Sequence, residues 1–230
     1  MRPLLLAALA LIPACGDVLY DQSQRALILE PVDRVTFDLD IGSVDVFAFN
    51  RTAISLLYYM SGAESQIVDV GWELRDDEVH GFIDCKTIVD QHSCLADFTV
   101  EVPYGTAVVS HTTQGNLTLT GVDAPVEATV AGTVTATGLA APTLDVEVSG
   151  DCLDADGGCV NLAYISPPQS VRVTVEAGDL NLTLPAGSYR CDLTTAEGDI
   201  DRGDVACDDA ATSSLEISVG TGNITLQVAS

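Results

Sequence analysis

The chain has 230 residues, of which 34 are acidic and 9 are basic, and its formal net charge is -25. A field of this sign repels phosphate backbones and anionic lipid surfaces, which argues against nucleic acid as a partner. Solubility in salty surroundings explains the charge more simply than divalent cation binding does, because net charge alone does not define a site.

The sequence begins with the features of a secretory signal. Arg2 precedes an apolar stretch that is shorter than the about 20 residues needed to span a bilayer. The next residues, IPAC, resemble a bacterial lipobox, in which the signal is removed before a lipid-carrying cysteine. We therefore predict a signal peptide over 1–14, lipidation of Cys15 and a polar tether over 15–26. An ordinary signal with a cysteine there by chance is the alternative.

Seven cysteines occur in the chain, and an odd number in an exported protein leaves one thiol unexplained. Lipidation of Cys15 removes that difficulty, because the other six can all pair. Six cysteines permit 15 connectivities, but the short spacings favour local bridges. The predicted pairs are Cys85–Cys94, Cys152–Cys159 and Cys191–Cys207.

Alternation of apolar and polar residues with a period of two dominates the chain after the predicted tether. In VTFDLDIGSVDVFAF, the residues Val35, Phe37 and Leu39 alternate with polar residues. This pattern predicts a strand with one buried face, a turn at Gly42 and a second strand. Helical spacing is not convincing in any segment of ten or more residues, so the predicted fold class is all-β.

Glycine followed by Asn, Asp or Thr recurs through the second half of the chain. These dipeptides are Gly115-Asn116, Gly132-Thr133, Gly150-Asp151, Gly178-Asp179, Gly198-Asp199 and Gly222-Asn223. Most of them precede an alternating triplet such as LTL, VTA, LNL or ITL. Glycine supplies a corner and the triplet supplies a strand with one face inward. A unit of about 20 residues predicts a β-solenoid, in which each turn buries its apolar face on its neighbours.

Aromatic residues divide the chain into two sections. Ten of the twelve lie at or before Tyr104, whereas Val, Thr, Ala and Leu dominate afterwards. We predict a bulkier N-terminal β section over 27–103 and a repeat β-solenoid section over 104–230. Both belong to one continuous domain over 27–230, and a β-sandwich is the alternative fold.

The order of these patterns resembles a known family. A block with GSVDV is followed by an irregular middle, by FTVEVPYGTAVVSHTTQGNLTLTGV, and by repeated Gly-Asp/Asn turns. This order resembles the bacterial putative-adhesin domain of unknown function, related to the head domain of auto-transporter-like adhesins. The resemblance covers roughly residues 30–230. It implies a right-handed β-helix-like solenoid on an exported protein, and it brings no catalytic motif.

The stretch DCLDADGGC resembles the start of a calcium loop. Asp151, Asp154 and Asp156 could supply oxygen ligands, but the Glu expected at the twelfth position is missing. A polar hairpin tip held by a disulfide is the simpler interpretation. We predict no cofactor, with calcium at these three residues as the alternative.

Two further groups of side chains could form a catalytic or a metal-binding site. Asp199 and Asp201 share one side of a short strand, and paired carboxylates can hydrolyse glycosides. Solvated turn carboxylates are the favoured interpretation, because aromatic platforms are scarce nearby. Zinc at His80 and His92 with Cys85 and Cys94 is disfavoured, since the export route oxidises such cysteines.

The sequence contains no Gly-x-Ser-x-Gly, His-Glu-x-x-His, phosphate-loop or dinucleotide-binding motif. We predict a non-enzymatic lipoprotein of the bacterial outer membrane or cell surface that presents a rigid β-solenoid for adhesion or structural contact. Its expected partners are the membrane, through the lipid anchor, and an envelope glycan or protein. The alternative is a protein that binds or cleaves surface polysaccharide, which would need a groove with convergent carboxylates and exposed aromatics.

Overall fold

The computed structural model of the protein describes residues 19–63, 66–86, 94–152 and 159–229. The regular secondary structure in those ranges is entirely β, so the predicted all-β class is confirmed. Among these residues, no helix is long and apolar enough to cross a membrane. The strands are β1 (Leu19–Ile28), β2 (Arg34–Leu39), β3 (Val44–Phe49), β4 (Ile54–Ala63), β5 (Ile67–Arg75), β6 (Glu78–Cys85), β7 (Cys94–Pro103), β8 (Ala107–Thr112), β9 (Leu117–Thr120), β10 (Val126–Val130), β11 (Val134–Leu139), β12 (Thr143–Asp151), β13 (Val160–Tyr164), β14 (Ser170–Ala177), β15 (Leu180–Leu184), β16 (Ser188–Glu197), β17 (Ile200–Asp201), β18 (Ala206–Cys207), β19 (Ser213–Thr221) and β20 (Ile224–Val228).

The strands form two ten-stranded sheets whose inward side chains share one hydrophobic core. Sheet A has the order β1-β4-β7-β3-β9-β11-β13-β15-β20-β17. Sheet B has the order β18-β16-β19-β14-β12-β10-β8-β2-β6-β5. Each sheet therefore has one outer face, and the two outer faces carry different side chains.

From β8 onward the chain alternates between the two sheets. Strand β8 lies in sheet B and β9 in sheet A, and the pairs β10/β11, β12/β13 and β14/β15 repeat this step. We call each such pair of strands a layer. Neighbouring layers are parallel and in register, so that Leu117 pairs with Val134, and Val134 with Val160. Adjacent strands in such sheets lie about 4.8 Å apart.

The layers do not follow each other strictly in chain order. Layer β2/β3 lies between β6/β7 and β8/β9, and layer β19/β20 lies between β14/β15 and β16/β17. Gly198 precedes Gly222 in the sequence but lies beyond it in the stack. In the β16/β17 layer Ile200 is 36% exposed, and most residues of both strands, many of them polar, are exposed or only partly buried. A layer with such a polar, exposed outer side can end a stack but cannot fill its interior.

Antiparallel pairing occurs in the N-terminal section, where β1 pairs with β4, β4 with β7, and β5 with β6. The sequence predicts a tether over 15–26, and this is wrong for residues 19–26, which belong to β1. The polar side chains of residues 22–25 are all exposed, so they form no buried face. Backbone pairing with β4 along the whole strand holds them instead, at the edge of sheet A. Polar edge strands also protect a sheet from pairing with other chains.

The core consists of aliphatic columns that run through the layers. The predicted inward residues are buried, each at most 1% exposed: Leu117, Leu119, Leu180, Leu182, Ile224 and Leu226. Larger side chains fill the N-terminal part, where the Phe98 ring lies 5.5 Å from the rings of both Phe37 and Tyr58. Bulky aromatic packing therefore gives way to thin aliphatic packing along the stack.

Candidate functional surface

Most of the repeated glycine dipeptides stack at one corner, where the chain enters sheet A. The stacked glycines are, in spatial order, Gly42, Gly115, Gly132, Gly178, Gly222 and Gly198. A Cβ atom on Gly115 would overlap the carbonyl oxygen of Gly42, and one on Gly222 would overlap that of Gly178. Gly115 and Gly222 also have φ angles of 153° and 138°. Close approach of the layers and positive φ together require glycine here.

Side-chain oxygens beside these glycines connect one layer to the next. The N–H of Thr133 donates to Asn116 Oδ1 at 2.9 Å, and that of Asn223 donates to Asp179 Oδ1 at 2.8 Å. The N–H of Asp199 donates to Asn223 Oδ1 at 3.0 Å. The corner side chains thus bond the backbone of a neighbouring layer rather than that of their own turn. Asn116 and Asn223 therefore have structural roles at the corner.

The structure joins the cysteines in the predicted local pairs. The Cα atoms lie 6.1 Å apart in Cys85–Cys94, 5.5 Å apart in Cys152–Cys159 and 5.5 Å apart in Cys191–Cys207. Cys159 takes the corner position of its layer, and Gly178 packs against its sulfur. The prediction of an equivalent corner at Gly150-Asp151 is wrong, because Gly150 lies within β12 in sheet B. The predicted hairpin tip between the two cysteines lies outside the described residues.

Several predicted sites cannot be placed on the structure. Cys15, Asp154 and Asp156 lie outside the described residues, as does the side chain of Asp151, so lipidation and the calcium site stay predictions. Within the described ranges, no cluster of three or more His, Cys, Asp or Glu side chains could hold a metal ion.

Asp199 and Asp201 are both exposed at the C-terminal end of the stack. Asp201 Oδ1 accepts the N–H of Gly203 at 2.9 Å and so closes its own turn. The backbone of Asp199 is bonded to Asn223, as described above. These contacts agree with the interpretation of both residues as turn carboxylates.

The candidate zinc set is not brought together, because Cys85 and Cys94 form a disulfide. His80 Nε2 lies instead 2.7 Å from Asp38 Oδ2, and His80 Nδ1 lies 3.5 Å from Glu73 Oε1. His92 lies outside the described residues. His80 is therefore hydrogen-bonded to Asp38 within sheet B, and its buried Nδ1 has no hydrogen-bond partner among the described residues.

The outer face of sheet B is acidic. Its outward residues on β10, β12, β14 and β19 include Glu127, Asp145, Glu147, Arg172, Glu176 and Glu216. Arg172 lies 3.5 Å from Asp145 and 3.0 Å from Glu216, and both carboxylate side chains are more than half exposed. A cavity of about 350 Å³ crosses this face beside Arg172. Of the two carboxylates that line it, Asp145 is ion-paired and Glu127 is exposed, unlike the pair in an enclosed cleft that glycoside hydrolysis requires.

The outer face of sheet A is uncharged over five adjacent strands. One row across β9, β11, β13, β15 and β20 consists of Thr118, Thr135, Asn161, Asn181 and Thr225. A second row consists of Thr120, Thr137, Ala163, Thr183 and Gln227, with a register shift between Thr137 and Ala163. We call these ten residues the neutral face. Asp45 and Asp201 bound its first row at either end.

Aromatic side chains adjoin the neutral face. Phe47 pairs with Thr120, so it continues the second row onto β3. The rings of Phe47 and Phe49 are stacked with centroids 6.4 Å apart, and the Arg51 guanidinium lies 4.9 Å above Phe49. Phe49 is 40% exposed. The neutral face therefore ends in a small aromatic platform.

The sequence patterns do not by themselves predict the neutral face. The middle residues of triplets such as LTL, VTA, LNL and ITL are polar, and alternation places their side chains on the outer face of the sheet. What the sequence alone does not show is the register, which sets Thr118 beside Thr135 and Asn161 beside Asn181. The register turns scattered polar residues into continuous rows.

The fold is similar to that of solved bacterial proteins. The crystal structure of a putative cell adhesion protein from Clostridium sporogenes ATCC 15579 matches with a TM-score of 0.51 and 10% identity, over 91% of this chain and 100% of that chain. A putative adhesin from Bacteroides fragilis NCTC 9343 matches with a TM-score of 0.47 and 12% identity, over 93% of this chain and 98% of that chain. At such low identity the likeness concerns the fold alone. The sequence matches no protein-family model and no curated protein.

Proposed function

We propose that the protein is a lipid-anchored, non-enzymatic component of the bacterial cell envelope that presents a rigid β-solenoid for adhesion or structural contact. The observation that carries this proposal is the corner at which layer after layer is joined by glycine contacts and by hydrogen bonds of 2.8–3.0 Å. Such a body resists bending and offers two broad outer faces to other molecules. The fold shared with the Clostridium sporogenes protein, which is described as a cell adhesion protein, supports the adhesive role.

The distance between the predicted anchor and the fold supports a membrane-proximal position. Strand β1 begins at Leu19, four residues after Cys15. Four residues span at most about 14 Å, so a lipid on Cys15 would keep the folded body close to the bilayer surface. The charge of -25 would hold the acidic face of sheet B away from anionic lipid.

A binding rather than a catalytic role agrees with the chemistry of both outer faces. The carboxylates on sheet B are paired with Arg172 or exposed, and the neutral face of sheet A carries only hydroxyl, amide and methyl groups. Covalent catalysis requires a nucleophile next to a base, and the ten residues of the neutral face include no His, Asp, Glu or Lys.

Fractionation and bead attachment together test this proposal. The full-length protein should partition with membranes, and Cys15→Ser should release it into the soluble fraction or leave it unprocessed. Beads coated with the purified protein should attach to bacterial cells or envelope fragments more than beads coated with an unrelated acidic protein do. Equal attachment of both beads would contradict the adhesive role, and unchanged partition of Cys15→Ser would contradict the anchor.

A further inference from the structure

We infer that the neutral face of sheet A is a docking surface for an uncharged polysaccharide chain, with the aromatic platform at Phe47 and Phe49 as its end. This inference rests on the proposed function, because it assigns the surface and the ligand class through which the protein would adhere.

Between the layers β8/β9 and β19/β20, charge is segregated between the two outer faces, whereas Asp45, Arg51 and Glu101 lie beyond the neutral face on or beside β3 and β7. The chain has 34 acidic residues, yet the ten outward positions of the neutral face include none of them and no basic residue. On the opposite sheet, strands β10, β12, β14 and β19 place five carboxylates outward. Within these ten positions, a ligand displaces water from no charged side chain. An anionic ligand would find no basic side chain on the neutral face, and the net negative charge of the molecule would repel it.

The composition of the neutral face favours a sugar over a protein. Protein interfaces are enriched in aromatic residues, Met and Arg, which form their energetic centres. The neutral face has six Thr, two Asn, one Gln and one Ala. Hydroxyl and amide groups match a ligand that is itself covered with hydroxyls. A second copy of this chain is also disfavoured, because two molecules of charge -25 repel each other.

The geometry of the neutral face suits an extended, repeating ligand. The five strands from β9 to β20 are separated by four spacings of about 4.8 Å, so the rows are roughly 19 Å long. The Nδ2 atom of Asn181 donates to Asn161 Oδ1 at 3.0 Å, which fixes both amides in place. Threonine is β-branched, so its hydroxyl has few rotamers to lose when a ligand binds.

The aromatic platform supplies the apolar contact that a sugar ring needs. The C–H groups on one side of a pyranose are slightly positive and pack against the negative face of an aromatic ring. Phe47 continues the second row of the neutral face, and Phe49 is 40% exposed beside it. A chain lying along the second row would therefore pass from hydroxyl groups onto the Phe47 ring, while the Arg51 guanidinium covers one face of Phe49.

Affinity electrophoresis of the full-length protein in mild detergent tests the inference. The probes are dextran, laminarin and hydroxyethyl cellulose, which are neutral, with alginate as the anionic probe. The protein should be retarded by at least one neutral polysaccharide and not by alginate. Thr135→Asp and Thr137→Asp should each weaken that binding at least about tenfold, because they place a carboxylate in the middle of the neutral face. Thr174→Asp adds the same charge on the outer face of sheet B and should leave binding within about twofold.

Thermal melting of each variant shows whether it is folded. Thr137 is exposed, so Thr137→Asp still tests binding to the neutral face if Thr135→Asp does not fold. Retardation by none of the neutral probes, or equal effects of Thr137→Asp and Thr174→Asp, would overturn the inference. Bead attachment that survives Thr137→Asp would also overturn it while leaving the adhesive function in place. Polysaccharide binding by a protein whose beads attach to no cell would contradict the adhesive function but support this surface.

Discussion

Asp179 and Asn223 are 44 residues apart in sequence, yet Asp179 Oδ1 accepts both the backbone N–H of Asn223 at 2.8 Å and its side-chain Nδ2 at 3.0 Å. This double hydrogen bond connects layer β14/β15, at the start of β15, with layer β19/β20, at the start of β20. The segment between them forms the terminal layer β16/β17 and the edge strand β18. The final two strands, β19 and β20, thus pack beside layer β14/β15, although strands β16, β17 and β18 lie between them in the sequence.

The contact predicts that Asn223→Asp destabilises the protein at neutral pH. The variant loses the Nδ2 donor and sets a second carboxylate against Asp179, which should cost about 1–3 kcal/mol. Because protonation removes the repulsion between the two carboxylates, stability should return as the pH falls below about 4. Urea denaturation at neutral and acidic pH measures this. The same change at exposed Asn50 is the control, and an equal effect there would remove the contact from the explanation.

The inward and outward faces of the layers predict opposite effects for two aspartate substitutions. Leu180 is fully buried, so Leu180→Asp buries an unpaired charge and should cost several kcal/mol. Thr118 lies on the neutral face, so Thr118→Asp should cost little. Melting temperatures compare the two variants directly. Equal losses would reject the assigned faces.

The corner glycines predict a large cost for an added methyl group. Gly115→Ala would place Cβ on the carbonyl oxygen of Gly42, in addition to straining a positive φ. Gly105 also has a positive φ, of 85°, but a Cβ there has nothing within 4 Å. Gly105→Ala should therefore show the backbone strain alone, about 1–2 kcal/mol, and Gly115→Ala should cost clearly more. Similar losses in chemical denaturation would mean that the layers do not approach as closely as described.

Alternation and the corner dipeptides are local signals, which is why the sequence predicts the burial of Leu180 and Ile224 and the stacking of their glycines. The order of the layers is not local. Ile200 follows its glycine just as Ile224 does, and only the packing of whole layers decides that Ile200 ends the stack. Strand β1 escapes prediction for another reason, since backbone pairing holds its polar residues without any apolar pattern. The neutral face depends on register, which the sequence encodes only through the packing of every layer.

Two buried tyrosines predict opposite effects of removing a hydroxyl. The Tyr164 hydroxyl is buried and has no hydrogen-bond partner among the described residues, whereas Tyr189 donates to the Pro185 carbonyl at 2.7 Å. Tyr164→Phe should be neutral or stabilising, and Tyr189→Phe should cost about 1 kcal/mol. Urea denaturation at neutral pH checks the pair, and a larger loss for Tyr164→Phe would contradict it.

Burial also raises the pKa of Tyr164 well above its ordinary value of 10.0. The neutral phenol is the form that the fold favours. Its contribution to stability is therefore complete below about pH 10 and is lost as the pH rises beyond that value. Denaturation midpoints between pH 8 and pH 11 should fall more steeply for the wild-type protein than for Tyr164→Phe. Parallel curves would show that Tyr164 does not titrate in the unfolding reaction.

Adherence of living cells tests the central claim most directly, namely that the protein is an anchored surface for contact. The source bacterium with the gene deleted is compared with the same strain carrying the wild-type gene, Cys15→Ser or Thr137→Asp, on surfaces coated with envelope polysaccharide. We predict that the wild-type gene restores adherence and that Cys15→Ser does not, because the protein is then no longer held at the membrane. Thr137→Asp should reduce adherence while the protein stays in the membrane fraction. Equal adherence of the deleted and wild-type strains would contradict the account.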